Sequence, residues 1–476
     1  MAPTQGVRVF SRKYREVTVT MLYQTINPYT EEKLKTFDLH SDAQLASIIE
    51  TADNTYKNNW RKKSFAERRA VLHKAAEIMR HNRDAFATPI TVEMGKLFRE
   101  AQAEVDLSAD ILDYYADNAE RFLAPTDLKV DDGKATVLSQ PIGIIFCIEP
   151  WNFPYYQLAR VAGPNLMAGN VLIVKHAPGV PQCAVMFEEL LANAGAPEGT
   201  YSNVFITNEQ SATVVADPRV RGVALTGSER AGKAVAAEAG SALKKSTMEL
   251  GGSDAFIVLD DADLDVAVKW AVWGRMNNTG QCCVAAKRFI VHEKIADAFT
   301  ARFKAELEKL VPGDPMDEKT TLGPLCSESA LKLVLGQIES AVAHGARVVT
   351  GGKRIDRPGY FLQATILDNI SRDNPAFHQE FFAPVAMIFR VPDEQSAIDL
   401  ANDSPYGLGG SVITTDIARG RRVASQIETG MVFINRSTWT APGLPFGGVK
   451  NSGYGRELSS LGIEEFINKK LIHAPA

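Results

Sequence analysis

Cysteine is scarce in this chain. Its five cysteines, Cys147, Cys183, Cys282, Cys283 and Cys326, are irregularly spaced, with no CxxC pair and no histidine cluster beside them. That spacing supports neither a disulfide framework nor a zinc site, so no metal is expected and a reducing compartment, the cytoplasm, is the natural location. Long apolar runs are also missing: none reaches the roughly 20 residues needed to span a bilayer. Nor does one sign of charge prevail. With 52 Lys and Arg against 57 Asp and Glu, the formal charge is -5 and the pI about 6.0. There is no general basic field for nucleic acid or a membrane surface. The first 20 residues carry Arg8, Arg12, Lys13 and Arg15 but no apolar core, so they are not a secretory signal. Residues 1–24 read as a disordered tail, or as sequence upstream of a start at Met21, with a transit peptide the lesser alternative.

At 476 residues the chain is too long for one simple core, and two or more domains are expected. Between about 40 and 120 apolar residues recur at three- and four-residue spacing, as in Phe65-Ala66-Glu67-Arg68-Arg69-Ala70-Val71-Leu72, which predicts helices. From 142 short apolar runs alternate with helical segments: Ile142 to Ile148, Val171 to Val174, Val204 to Thr207, and Gly222 to Thr226. Such alternation predicts βα units and a parallel sheet. A second series starts near Ala255–Leu259 and takes in Arg288–Val291, Ala346–Val349 and Val432–Asn435. Two α/β domains meeting near residue 250 follow. Lys129 to Gln140 alternates weakly and reads as a hairpin outside both.

Several short motifs offer chemistry. Gly280-Gln281-Cys282-Cys283 places a thiol nucleophile on a glycine-loosened segment, and Met248-Glu249-Leu250-Gly251-Gly252 sets one carboxylate among apolar residues, where burial would make it a base. Pro150-Trp151-Asn152-Phe153-Pro154 is a rigid loop from which Asn152 can present an amide to an oxyanion. Lys175 closes the next apolar run, where a cation can meet a ribose or phosphate. Thr226-Gly227-Ser228 sits between a strand and a helix, so its amides can face a pyrophosphate. This is not a GxGxxG fingerprint, and each motif alone has a plain structural explanation: a turn, a solvated strand end, an inert buried thiol. Glu380, in Gln379-Glu380-Phe381-Phe382-Ala383-Pro384, alone would be a surface carboxylate.

Together with Pro445-Phe446-Gly447-Gly448, these motifs resemble the aldehyde dehydrogenase superfamily from about Asn27 onward. The resemblance implies that Cys283 attacks the aldehyde, that the Asn152 side chain and the Cys283 backbone N–H hold the oxyanion, and that Glu249 activates the water that hydrolyses the thioester. It further implies a nicotinamide cofactor, NADP or NAD. Trp151, Lys175, Pro178, Thr226, Gly227, Ser228, Glu380 and Phe382 would bind it. Members with a glutamate three residues after the lysine usually disfavour a 2′-phosphate; here that position is Pro178, so charge repulsion against NADP is absent.

The same resemblance extends to succinate-semialdehyde dehydrogenases, in which an arginine six residues beyond the loop proline binds the substrate carboxylate. Arg160 stands there, with Ser437 a second candidate. One feature departs: Asn277 occupies the place where other such enzymes carry a second arginine, leaving Arg275, Arg436 or Ser437 as substitutes. The leading expectation is oxidation of succinate semialdehyde or a similar ω-carboxy aldehyde. The alternatives are a broad aliphatic or aromatic aldehyde dehydrogenase and, remotely, a non-catalytic binding homologue. By resemblance the α/β fold divides into a Rossmann-like cofactor domain (25–120 and 141–250), a catalytic domain (251–445) and a small β oligomerisation element (121–140 and 446–476), assembling as a homodimer or homotetramer.

Overall fold

Helices dominate the first quarter of the chain, as its periodicity predicts. The computed structural model describes residues 23–476. Strands β1 (Tyr23–Ile26) and β2 (Lys33–Phe37) form a short antiparallel pair, followed by α1 (Asp42–Asn58), α2 (Phe65–His81), α3 (Arg83–Met94) and α4 (Phe98–Phe122). Ser41 and Ser64 start α1 and α2 with reciprocal capping boxes to Gln44 and Glu67, which satisfy otherwise orphaned amides. Most of the expected tail lies outside the described residues, but Tyr23 and Gln24 are strand residues: the Tyr23 ring is buried against Phe205, and Gln24 N–H donates to Pro178 O at 3.1 Å. After α4 come the small strands β3 (Thr126–Leu128) and β4 (Lys134–Pro141).

The first α/β unit runs β5 (Ile144–Glu149), α5 (Pro154–Ala168), β6 (Val171–His176), α6 (Pro181–Asn193), β7 (Tyr201–Asn203), α7 (Asn208–Ala216), β8 (Val220–Thr226), α8 (Glu229–Ser241) and β9 (Lys245–Glu249). The strands are parallel, in the order β9-β8-β5-β6-β7. The expected strand over Val204–Thr207 falls earlier. Val204 N–H still bonds Val174 O at 2.9 Å, but Thr207 leaves the ladder to cap α7.

The second unit runs β10 (Asp254–Val258), α9 (Leu264–Met276), β11 (Ala286–His292), α10 (Glu293–Leu307), α11 (Glu328–Ala343), β12 (Arg347–Thr350), β13 (Thr365–Asp368), β14 (Val385–Val391), α12 (Glu394–Asn402), β15 (Tyr406–Gly407), β16 (Gly410–Ile413), α13 (Ile417–Ala424) and β17 (Phe433–Ile434). Its sheet has the order β12-β13-β14-β11-β10-β16-β17 and is parallel except for β12. Both sheets bury both faces under helices, which is why their strands read as continuous apolar runs.

The chain then returns to the first unit. β18 (Val449–Lys450) pairs with β15, β19 (Gly453–Tyr454) adds antiparallel to β9, α14 (Ser459–Glu464) follows, and β20 (Ile467–Ala474) pairs with β4. Of the expected bridging element, only β20 joins β3 and β4 in the small antiparallel sheet; ahead of it, β18 pairs with β15 and β19 with β9. Among the described residues no helix is long and apolar enough to cross a membrane.

Candidate active site

At the carboxyl ends of β5, β8 and β9 the strand register aligns Glu149, Thr226 and Glu249. Ile148 pairs with Leu225, so Glu149 follows level with Thr226, and Thr226 pairs with Glu249. Open parallel sheets bind ligands at this edge. Glu249 is 2% exposed and neither carboxylate oxygen has a hydrogen-bond partner among the described residues. Burial first, then the nearby Glu457 carboxylate, lift its pKa well above the ordinary carboxylate range, against the opposing pull of Arg160. Such a group is a stronger base than a solvated glutamate.

The two glycines after Glu249 let its segment pack against Cys283. A methyl group built on Gly252 would stand 2.7 Å from Cys283 O, and one on Gly447, in the returning loop, 2.7 Å from Glu249 Oε1. Only a chain without side chains at these points lets the three segments close together.

The nucleophile loop leaves α9 through three consecutive residues in the left-handed region, Asn278, Thr279 and Gly280, with φ of 53°, 54° and 74°. Backbone of this kind costs energy for Asn and Thr and persists where neighbours over-determine it. Here they do. Arg275 Nη2 donates to Gly280 O at 2.5 Å, and the fully buried Lys287 ammonium donates to Cys282 O at 2.9 Å and Cys283 O at 2.7 Å. The same ammonium lies 3.0 Å from Glu380 Oε1, which also accepts Gly252 N–H at 3.1 Å. Nucleophile loop, glycine segment and Glu380 thus share one buried cation.

The adjacent Cys282 thiol and burial together hold the Cys283 pKa well above the usual thiol range, opposed by Lys287 and Arg160. The neighbouring Cys283 side chain, and after it the Lys287 ammonium, draw the Cys282 pKa below the usual thiol range against the effect of burial. Cys283 alone of the two is partly exposed. It therefore rests as a protonated thiol, and reaction requires a base.

Asn152 is buried in the Pro150–Pro154 loop and its Nδ2 donates to Gln281 O at 3.1 Å, so the amide already points at the nucleophile loop. The remaining predicted positions make local contacts of their own. Trp151 and Phe382 meet edge to face at 5.7 Å. Ser228 caps α8 through Ala231 N–H at 3.3 Å, and Gly227 N–H donates to Glu249 O at 2.9 Å. Lys175, 6% exposed, makes no hydrogen bond or ion pair among the described residues, and desolvation lowers its pKa to about 8. An unpaired ammonium at the carboxyl end of a parallel strand fits an anionic nucleotide. Pro178 neighbours it and adds no charge.

Two predicted substrate residues are placed differently from expectation. Arg160 does not offer a free guanidinium: 1% exposed, it is ion-paired with Glu457, donates to Thr226 Oγ1 at 2.9 Å and Tyr156 OH at 3.4 Å, and stacks on Phe446. Ser437 Oγ is spent on Trp270 O at 2.7 Å, and close packing against Gly274 keeps it inside. Of the proposed stand-ins, Arg275 is wholly buried and committed to Gly280 O and Val385 O, whereas Arg436 lies over the rings of Trp270 and Trp439.

Sequence reasoning missed Lys96, Lys287 and Glu457, all buried and all paired in or beside the site. Each is a charged residue within or next to an apolar stretch. That is the one signal available without the fold.

This site holds a buried carboxylate, a thiol and a buried side-chain amide. Residues 15–472 match the aldehyde dehydrogenase family. The chain belongs to that family. It is 49% identical over 452 residues to the succinate-semialdehyde dehydrogenase [NADP(+)] of Deinococcus radiodurans, covering 95% of this chain and 94% of that protein. A probable succinate-semialdehyde dehydrogenase [NADP(+)] of Synechocystis is 43% identical, with 95% and 99% covered. The crystal structure of succinic semialdehyde dehydrogenase from Streptococcus pyogenes in complex with NADP+ superposes with a TM-score of 0.94 at 51% identity, covering 95% of this chain and all of that one.

Proposed function

We propose that this aldehyde dehydrogenase oxidises succinate semialdehyde to succinate with NADP. The observation that carries the substrate reading is a polar chain from the interior to the cleft: Arg160 Nη1 faces Tyr156 OH, which lies 3.0 Å from Thr440 Oγ1. A substrate carboxylate arriving at Tyr156 and Thr440 meets two hydroxyls backed by a guanidinium, an arrangement suited to an ω-carboxylate and pointless for a plain alkyl chain. The relatives named above, at 43 and 49% identity, support the same reading.

Cys283 gives up its proton to Glu249 and its sulfur bonds to the aldehyde carbon. The oxygen becomes an alkoxide held by the Asn152 side-chain amide and the Cys283 N–H. Bound nicotinamide supplies a hydride acceptor, and the thiohemiacetal becomes a thioester on Cys283. Glu249 releases that proton to solvent and, again a carboxylate, takes one from water as the water oxygen bonds to the acyl carbon; the C–S bond breaks, the Cys283 thiolate takes the proton back from Glu249, and succinate leaves. Lys175 would hold the 2′-phosphate, while Ser228 would face the pyrophosphate, Gly227 giving it room rather than its committed N–H, and Glu380 the nicotinamide ribose. Pro178 adds no carboxylate to oppose NADP.

The small sheet supports assembly as a homodimer or dimer of dimers. Leu471, Ile472 and Leu128 expose apolar side chains there, which is costly unless a second copy covers them. A cytoplasmic location accords with five unpaired cysteines.

The test compares kcat/KM for succinate semialdehyde and butanal, each with NADP and NAD. A preference of about tenfold or more for the carboxylated aldehyde, ~1.4 kcal/mol, is expected. Equal values would leave a general aldehyde dehydrogenase.

A further inference from the structure

The loops that carry Asn152 and Cys283 are fastened from behind by three charged residues that the reaction does not touch. Helix α3 ends on Gly95, whose φ of 80° reverses the chain and turns Lys96 inward, to 1% exposure. The Lys96 ammonium donates to Asn152 O at 2.9 Å, pairs with Glu104 on α4, and lies 3.6 Å from the centre of the Phe153 ring. The other oxygen of Glu104 accepts Tyr155 N–H at 2.9 Å and Tyr156 N–H at 3.2 Å, in the first turn of α5. One helical turn earlier on α4, Glu100 accepts Asn278 N–H at 3.2 Å. Asn278 closes the loop, since its Nδ2 reaches Asn152 O at 2.8 Å and Gln281 O at 3.1 Å.

A single carbonyl, that of Asn152, therefore takes one donor from the α3–α4 corner and one from the nucleophile loop. Helix α4 holds both loops at once, with Glu104 on the amide side and Glu100 on the thiol side. A buried ammonium–carboxylate pair is a costly way to fill space, because apolar residues of similar volume would do so at least as well. What it adds is direction: donors and acceptors at fixed points along two chains that must meet to within a fraction of an ångström.

We propose that Lys96, Glu104 and Glu100 are positioning residues for the oxyanion site, setting the Asn152 amide against Cys283 from the rear. This rests on the reaction proposed above, and it predicts losses in the acylation step rather than in substrate or cofactor binding. Lys96→Met alone strands Glu104 and tests folding as much as function, so the informative variant is Lys96→Met with Glu104→Gln, which removes both charges together.

The experiment is a double-mutant cycle against Asn152→Ala. It reads the burst of reduced cofactor with succinate semialdehyde and with butanal, the KM, the NADP Kd, and cofactor-free cleavage of 4-nitrophenyl acetate, which also needs the thiol and an oxyanion site. The paired variant should lower the burst and ester cleavage about tenfold or more, with KM and Kd within about twofold. On the Asn152→Ala background the same pair should cost less than about threefold further. A folded paired variant with an unchanged burst overturns the proposal, as does a full multiplicative loss on the Asn152→Ala background. If wild type oxidises neither aldehyde, the proposed reaction fails; the ester cycle still decides the positioning role by the same two criteria.

Discussion

Arg160 and Glu457 form an ion pair closed to solvent, the guanidinium side chain fully buried and the carboxylate 8% exposed. The pair joins α5 to the returning C-terminal segment directly behind Glu249. Removing Glu457 alone leaves a buried unpaired cation, which costs about 3–5 kcal/mol. Glu457→Gln should lower the urea midpoint accordingly. It should also shift the acid limb of kcat to lower pH, because the Glu457 carboxylate is what adds to burial in raising Glu249. A shift to higher pH would contradict that assignment.

Glu249 carries a stability cost with a definite sign. Unfolded, its carboxyl ionises near 4.3; folded, it does so only at higher pH. The native state holds the proton across the window between, so stability falls as pH climbs through it. Glu249→Gln should therefore melt above wild type at pH 8, and the two should converge below about pH 4. Calorimetric scans across pH check this; equal melting temperatures at pH 8 would contradict it.

Cofactor affinity should titrate with Lys175. Its ammonium, pulled down to about 8 by desolvation, is present at neutral pH and lost above that. The Kd for NADP should rise above pH 8 by up to about tenfold per unit while that for NAD stays flat. Lys175→Met should abolish the difference. Pro178→Glu should weaken NADP far more than NAD, as fluorescence titration would show.

Gly280→Ala should disable the enzyme. Its φ of 74° disfavours any side chain, and the added methyl would meet the Ala383 carbonyl carbon at 2.5 Å. Strain of ~1–3 kcal/mol is expected, with kcat falling more than stability because Cys283 is three residues away. Unchanged turnover would mean that the loop relaxes freely.

The parts of the site that sit in short rigid segments were legible in the sequence. Pro150–Pro154, Gly280–Cys283 and the Glu249 glycines bring their own backbone constraints, so composition announces them. What could not be read is who stands opposite. Glu457 lies almost 300 residues from Arg160 in sequence and Lys96 is 56 from Asn152; their roles exist only once α4, α5 and the C-terminal return are packed. Arg160 looks like a free anchor until its partner appears. The strand expected at Val204–Thr207 was apolar enough but sat at a sheet edge, where the chain exits early to cap a helix.

The most direct test of the account is the covalent intermediate. Glu249→Gln, incubated with succinate semialdehyde and NADP, should acylate slowly, because Cys283 has lost its base, then fail to hydrolyse: it should reduce one equivalent of cofactor, stop, and carry one succinyl group on the peptide bearing Cys282 and Cys283. Mass fragmentation should place it on Cys283. No adduct, or one on Cys282, would contradict the assignment of nucleophile and base.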